Sequence, residues 1–224
     1  QRQMCIRDSS KTYTLKKFTT EEYVRHPDFQ VIGVGIKVND GETQWASSTH
    51  REIRKFLNEF DIENSILLCQ NTAFDGFILS EHFDIHAKRY ADTMLMAKAI
   101  HGADAPVSLK ALAERYGVGE KGTEVLNADG KRREDFTPEE LSKYGDYCVN
   151  DVELTYDIFK KMVSSGFPLT EMRLIDLTLK MFIRPLLHLD KNLLESHLAD
   201  VRSRKEQLLA ESSCTVEDLS LIHI

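Results

Sequence analysis

No two cysteines in this chain stand close enough to form a C-x-x-C pair, and no apolar run approaches the ~20 residues that a membrane-spanning helix requires. The four cysteines, Cys5, Cys69, Cys148 and Cys214, are scattered singly. That argues against a zinc site and against a disulfide framework, and makes reduced, buried thiols the simpler reading. The opening residues lack an apolar stretch followed by a small-residue cleavage site, so export is not supported and the cytoplasm is the expected compartment. Excess positive charge is missing too. With 29 Lys and Arg against 36 Asp and Glu the net charge is −7, so the molecule does not advertise nucleic-acid binding as a basic protein does. An enzyme that neutralises phosphate through bound metal ions can still be acidic. There is no internal repeat and no low-complexity tract. What is present is 224 residues, 42% hydrophobic and 29% charged, the composition of a globular protein with room for one ordinary domain and the start of a second.

Hydrophobic periodicity gives the order of elements. FQVIGVGIKV (29–38) is β-branched and alternating, and NDGE supplies a turn before TQWAS, so a β-hairpin is predicted. THREIRKFLNEF has helical spacing; SILLCQ (65–70) is a short apolar run ending at Asn71, as a buried strand does. FDGFILSEHF reads as a helix that begins almost at once. RYADTM reads as a further strand, and SLKALAERYG as a helix closed by Gly117, before the polar loop GVGEKGTEVLNADGKRRED. From TPEEL the chain turns strongly helical, with Thr137 as N-cap and Pro138 at the first helical position. Strands alternating with helices indicate an α/β domain over roughly residues 10–165. GFPLT interrupts the pattern at 166–170, and long helical segments around 171–187 and 190–212 follow it.

Two stretches can carry chemistry. In QNTAFDGFIL a buried strand delivers Asn71 to its end and Asp75 to the first turn of the next helix, which is where α/β sheets build sites. The competing reading is structural: Thr72 and Asp75 form a T-x-x-D capping pattern. In YGDYCVNDVELTYDIF, Tyr144, Cys148, Asp151, Thr155 and Ile158 follow the spacing of one helix face, which Leu141, Phe159 and Met162 extend. Asp151 therefore lies in a buried stripe, where an ionised carboxylate is costly unless a divalent metal or a basic side chain pairs with it. Tyr147 projects from the same face one turn earlier. Its alternative is a plain core aromatic.

Together, QNxxFD at 70–75 and YxxxD at 147–151, with DTML at 92–95 and SLKALAERYG at 108–117, resemble the 3'-5' proofreading exonuclease domain of family A DNA polymerases, the tyrosine branch of the DEDD exonucleases. The resemblance covers about residues 11–165 and implies an RNase H-like fold, a mixed sheet flanked by helices. The segment LIDLTLKMFIRPLLHLDKNLL then looks like the passage into the polymerase domain of phage-type enzymes, a helical C-terminal extension over 166–218. In that family, carboxylates hold two divalent ions, Mg²⁺ or Mn²⁺, that stabilise the attacking and leaving oxygens of a phosphodiester displacement at the 3' end of single-stranded DNA. The resemblance makes Asp75 and Asp151 metal ligands. It makes Tyr147 the group that orients the attacking water, and it makes Gln70, Asn71 and Phe74 contacts to the terminal nucleotides, Phe74 having a core role as an equal alternative. Lys131, Arg132 and Arg133 form a small basic run, read as solvated loop with phosphate contact as the other possibility. An RNase D-like exoribonuclease and a non-catalytic nucleic-acid-binding domain are the rival functions.

The family's first motif, Asp-x-Glu, is expected immediately before SKTYTLKKF, and residues 1–9 contain none; Asp8 is followed by Ser9 and Ser10. MCIRDS can be encoded by ATG TGT ATA AGA GAC AG plus a serine third base, and the reverse complement of that stretch reads LSLIHI, the last six residues. Both termini thus look like translations of one transposon-end adaptor. Residues 1–9 and 219–224 are accordingly expected to be non-native, Asp8 to be an accident of that origin, and the chain as written to be nearly inactive.

Overall fold

The computed structural model describes residues 13–122 and 131–212 in full and the backbone of 2–6. Asp8, the centre of the polar loop and the LSLIHI terminus lie outside the described residues. The elements are β1 (Arg2–Ile6), α1 (Thr20–Arg25), β2 (Val31–Ile36), β3 (Gln44–Ala46), α2 (His50–Asn58), β4 (Ile66–Cys69), α3 (Thr72–Phe83), β5 (Arg89–Asp92), α4 (Thr93–His101), α5 (Leu109–Tyr116), α6 (Pro138–Ser164), α7 (Leu169–Ile183) and α8 (Lys191–Glu211). No helix among the described residues is long and apolar enough to cross a membrane.

The strands form two small sheets. β2 is the middle strand of an antiparallel trio, β1-β2-β3. The hairpin to β3 sets Val34 opposite Ala46, Gly35 opposite Trp45 and Ile36 opposite Gln44. β4 and β5 pair in parallel, Cys69 opposite Asp92, with α3 as the crossover. β1 also touches β4, so its backbone lies between the two sheets. From Ile32 to Ile36 every residue of β2 is buried, because β1 and β3 pair with its edges and the helices α6 and α2 pack on it.

The helices form for reasons visible in the residues. Ile53 and Leu57, one turn apart, are the buried face of α2. α5 ends on Gly117 at φ 61°, a left-handed C-cap that glycine accepts without strain. α6 begins with a full capping box, Thr137 with Glu140, and Pro138 in its first turn. From its fourth turn down to Met162 it buries Cys148, Asp151, Val152, Thr155 and Ile158 along one stripe. Trp45 of β3 fills the space where α6 crosses the sheet: a Cβ on Gly145 would stand 2.7 Å from the indole Nε1 and 2.8 Å from Cδ1. Only glycine lets the helix approach the ring that closely.

The GFPLT break is a turn inside a compact body. Gly166 takes φ 87°, Pro168 caps α7, and α7 then returns along α3, α4 and β5. Ile175, Leu179 and Ile183 are its buried row, and the Tyr90 amide donates to Asp176 Oδ1 at 2.8 Å. The compact unit runs through Pro185. Leu186–Ile224 is a second unit. Its described part is α8, started by the Asp190 carboxylate, which accepts from the Leu193 amide at 3.0 Å.

Candidate active site

The strand β4 ends at a sharp corner. Asn71 adopts φ 68° and ψ 57°, a left-handed conformation that asparagine tolerates better than most residues, and the chain enters α3 directly. The T-x-x-D capping pattern is not what holds this corner. Thr72 is fully buried and its hydroxyl donates to the Ala91 carbonyl at 2.6 Å while accepting from the Cys69 amide at 3.1 Å, so it fastens β4 to β5. The cap is supplied from across the sheet by Asp92. Its carboxylate accepts from Asn71 N (3.2 Å) and Thr72 N (2.7 Å) at the start of α3, and from Met94 N (2.8 Å) and Leu95 N (3.3 Å) at the start of α4. Burial raises the Asp92 carboxyl above the ordinary range, with the four N–H donors pulling the other way.

On this corner Asp75 is placed in the first turn of α3 and is buried. The Asn71 side chain is exposed and takes no part in capping. Gln70 is half-buried, and its amide is engaged within the fold: Nε2 donates to the Val107 carbonyl at 2.7 Å and Oε1 accepts from the Thr93 hydroxyl at 2.5 Å. Phe74 is partly buried against Tyr23, ring centroids 6.2 Å apart, in keeping with the core role weighed for it.

Asp151 and Tyr147 project from α6 as the helical period requires. Asp151 is completely buried and Tyr147 half-buried. Of the two partners open to Asp151, the structure holds a basic side chain: Lys121 Nζ lies 2.6 Å from Asp151 Oδ2. The same ammonium lies 4.9 Å from the centroid of the Tyr147 ring. Burial lowers the Lys121 ammonium, but hydrogen bonds and charge attraction from Asp151 and Tyr147 outweigh it and hold the pKa above the usual lysine value. Burial is the first cause raising the Tyr147 phenol; Lys121 opposes it and Asp151 adds to it. A phenol so placed is neutral at physiological pH and can hold a water without removing its proton.

Two helices thus carry the predicted carboxylates, and both pack on β1 and β4. Asp151, Tyr147 and Lys121 are drawn together, whereas Asp75 stands on a different helix, α3. A divalent cation suits these donors in kind. Carboxylate oxygens are hard ligands, and Asp151 already demands a cation inside the protein. Among the described residues no group of three or more His, Cys, Asp or Glu is gathered to hold a metal ion. The basic run is tied down locally: Lys131 pairs with Glu140 at 2.6 Å, Arg132 with Asp28 at 3.5 Å, and Arg133 bonds Ser47.

Sequence reasoning missed Lys121 and Asp92. Lys121 sits in a loop with no periodicity to betray it. Asp92 could have been found as an acid ending a strand and opening a helix, the N-cap position.

Residues 18–166 match the family described as 3'-5' exonuclease, of the DNA polymerase A type. A solved structure described as the apo form of the nuclease superposes with a TM-score of 0.53 at 11% sequence identity, covering 69% of this chain and 73% of that one. At that identity the likeness is one of fold. No curated protein matches the chain.

Proposed function

The chain belongs to the 3'-5' exonuclease family, and from that premise we propose that residues 10–165 are the proofreading exonuclease of a family A DNA polymerase of phage type, acting on single-stranded DNA 3' ends. On this reading residues 166–218 lead toward the polymerase. The observation that carries it is Asp151, a completely buried carboxylate with a cation at 2.6 Å and a phenol one helical turn away. Burying an ion is destabilising, and a chain gains nothing structural there that an apolar residue would not give. A site that must receive a divalent ion accounts for it.

Family members generally use divalent metals, and here Asp75 and Asp151 would hold them. The ions, Mg²⁺ or Mn²⁺, would supply electrostatic stabilisation of the two oxygens exchanged at phosphorus. The protein's own groups do the rest. Tyr147, neutral and partly shielded from solvent, orients the attacking water through its hydroxyl. Asn71, exposed at a rigid left-handed corner, offers its amide to the sugar or phosphate of the terminal nucleotide. Phe74 lies behind it as wall and stacking edge, and Gln70 stiffens the corner through Val107 and Thr93. The Asp92 cap keeps that corner, and so Asp75, in register.

The test is hydrolysis of a 5'-labelled single strand with Mn²⁺ by the chain whose residues 1–9 are replaced with a β-strand ending in Asp-x-Glu. Shortening that proceeds stepwise from the 3' end and disappears in both Asp75→Asn and Asp151→Asn supports the assignment. Shortening that survives both substitutions removes it.

A further inference from the structure

Lys121 reaches both functional side chains of α6, and the packing of its neighbours shows that its place is built. Asn150 Nδ2 donates to the Glu120 carbonyl at 3.1 Å, and a Cβ on Gly122 would stand 3.5 Å from Tyr147 Cδ2. The backbone on either side of Lys121 is therefore pressed onto α6. The ammonium is delivered to Asp151 by the chain itself, with its side chain 25% exposed and the Asp151 side chain 0%.

We propose that Lys121 is the resident counter-ion of the site, holding Asp151 and Tyr147 in place without a metal, and that a divalent cation must displace its ammonium from Asp151 in order to bind. The proposal rests on the reading of Asp151 as a metal ligand. An ammonium and a divalent ion repel each other, and the 2.6 Å contact occupies Oδ2 of the carboxylate. An ammonium has three donors and no acceptor, so it can offer the incoming ion nothing and has to yield. Without it, Asp151 would be a completely buried anion before metal arrived, which is far costlier than a pair. Lys121 thus keeps the empty site folded and sets how strongly metal must bind to open it.

The experiment titrates the full chain with Mn²⁺ and follows free ion by electron paramagnetic resonance, in wild type, Lys121→Met, Lys121→Arg, Asp151→Asn and the Asp151→Asn/Lys121→Met double variant. Methionine keeps the length and apolar stem and removes the charge. The expected result is Mn²⁺ affinity about two- to fivefold tighter in Lys121→Met, the scale on which a part-exposed ion pair acts. Lys121→Arg should stay near wild type, and the double variant should show no gain. Affinity in Lys121→Met equal to or weaker than wild type, or a gain that persists without Asp151, overturns the proposal. If the methionine variant fails to fold, Lys121→Gln is held to the same comparison. Because the readout is binding, the two readings fail separately. A chain that gains Mn²⁺ affinity but never cuts DNA even after residues 1–9 are replaced by a strand ending in Asp-x-Glu sinks the exonuclease assignment alone, and a grafted chain that cuts DNA but whose affinity ignores Lys121 sinks the counter-ion alone.

Discussion

Replacing Asp92 with alanine should cost more stability than any surface change. The carboxylate is fully buried and accepts four backbone N–H groups, two from the first turn of α3 and two from that of α4. Loss of the α4 cap costs about 1 kcal/mol. The two N–H groups of Asn71 and Thr72, left buried without an acceptor, add roughly 1–3 kcal/mol each. Relief from burying a charge offsets part of this, so Asp92→Ala should fall in the range of about 3–5 kcal/mol. For a chain of this size that lowers the thermal midpoint by roughly 10 °C. Asp92→Asn keeps one acceptor oxygen and should lose about half as much. Urea denaturation followed by circular dichroism, with the slope m unchanged, measures both. The pH dependence has a definite sign. Burial raises the folded Asp92 pKa above its unfolded value, so its contribution is complete below about pH 3.9 and is lost as the pH rises through the folded pKa. The stability gap between wild type and Asp92→Asn should therefore shrink from acid toward neutral pH. An Asp92→Ala variant within about 1 kcal/mol of wild type would refute the claim that this carboxylate fixes the corner.

In an active parent enzyme, Tyr147→Phe should slow cleavage at least roughly tenfold while single-stranded DNA binding stays within about twofold, since the hydroxyl holds water and not substrate. Because burial raises that phenol, cleavage should show no limb below about pH 10 that the substitution removes. Asn71→Gly keeps the left-handed corner and should change stability by less than about 0.5 kcal/mol while weakening 3'-end binding; equal affinity would take the side chain out of the site. Gly145→Ala gains about 1 kcal/mol of helix propensity but must displace the Trp45 indole, so it should destabilise by a net ~1–2 kcal/mol and shift tryptophan emission, which reports Trp45 alone. Unchanged emission and a higher melting temperature would contradict that packing.

The elements were legible where period and punctuation agreed. The β2–β3 hairpin follows from alternation around NDGE, α5 from the Gly117 stop, and α6 from Thr137-Pro138 and a stripe that holds Asp151. The 3.6-residue period also placed Tyr147 and Asp151 on one face. It could not say that Lys121 comes across to them, because a loop lysine carries no periodicity and the contact spans thirty residues. The T-x-x-D alternative at Thr72 could not be decided for a related reason: the cap comes from a carboxylate twenty residues away. Past residue 165 the sequence marked a long helical segment around 171–187, but nothing in it named α3, α4 and β5 as what the buried row Ile175, Leu179 and Ile183 covers.

The most direct test concerns the first motif, which residues 1–9 do not contain. Those residues would be replaced by a β-strand ending in Asp-x-Glu, and the grafted and original proteins compared on a 5'-labelled single strand with Mn²⁺, each also as its Asp151→Asn variant. The account predicts stepwise shortening from the 3' end by the grafted protein, little by the original, and none once Asp151 is lost. Comparable cleavage by grafted and original proteins, or cleavage indifferent to Asp151, would contradict it.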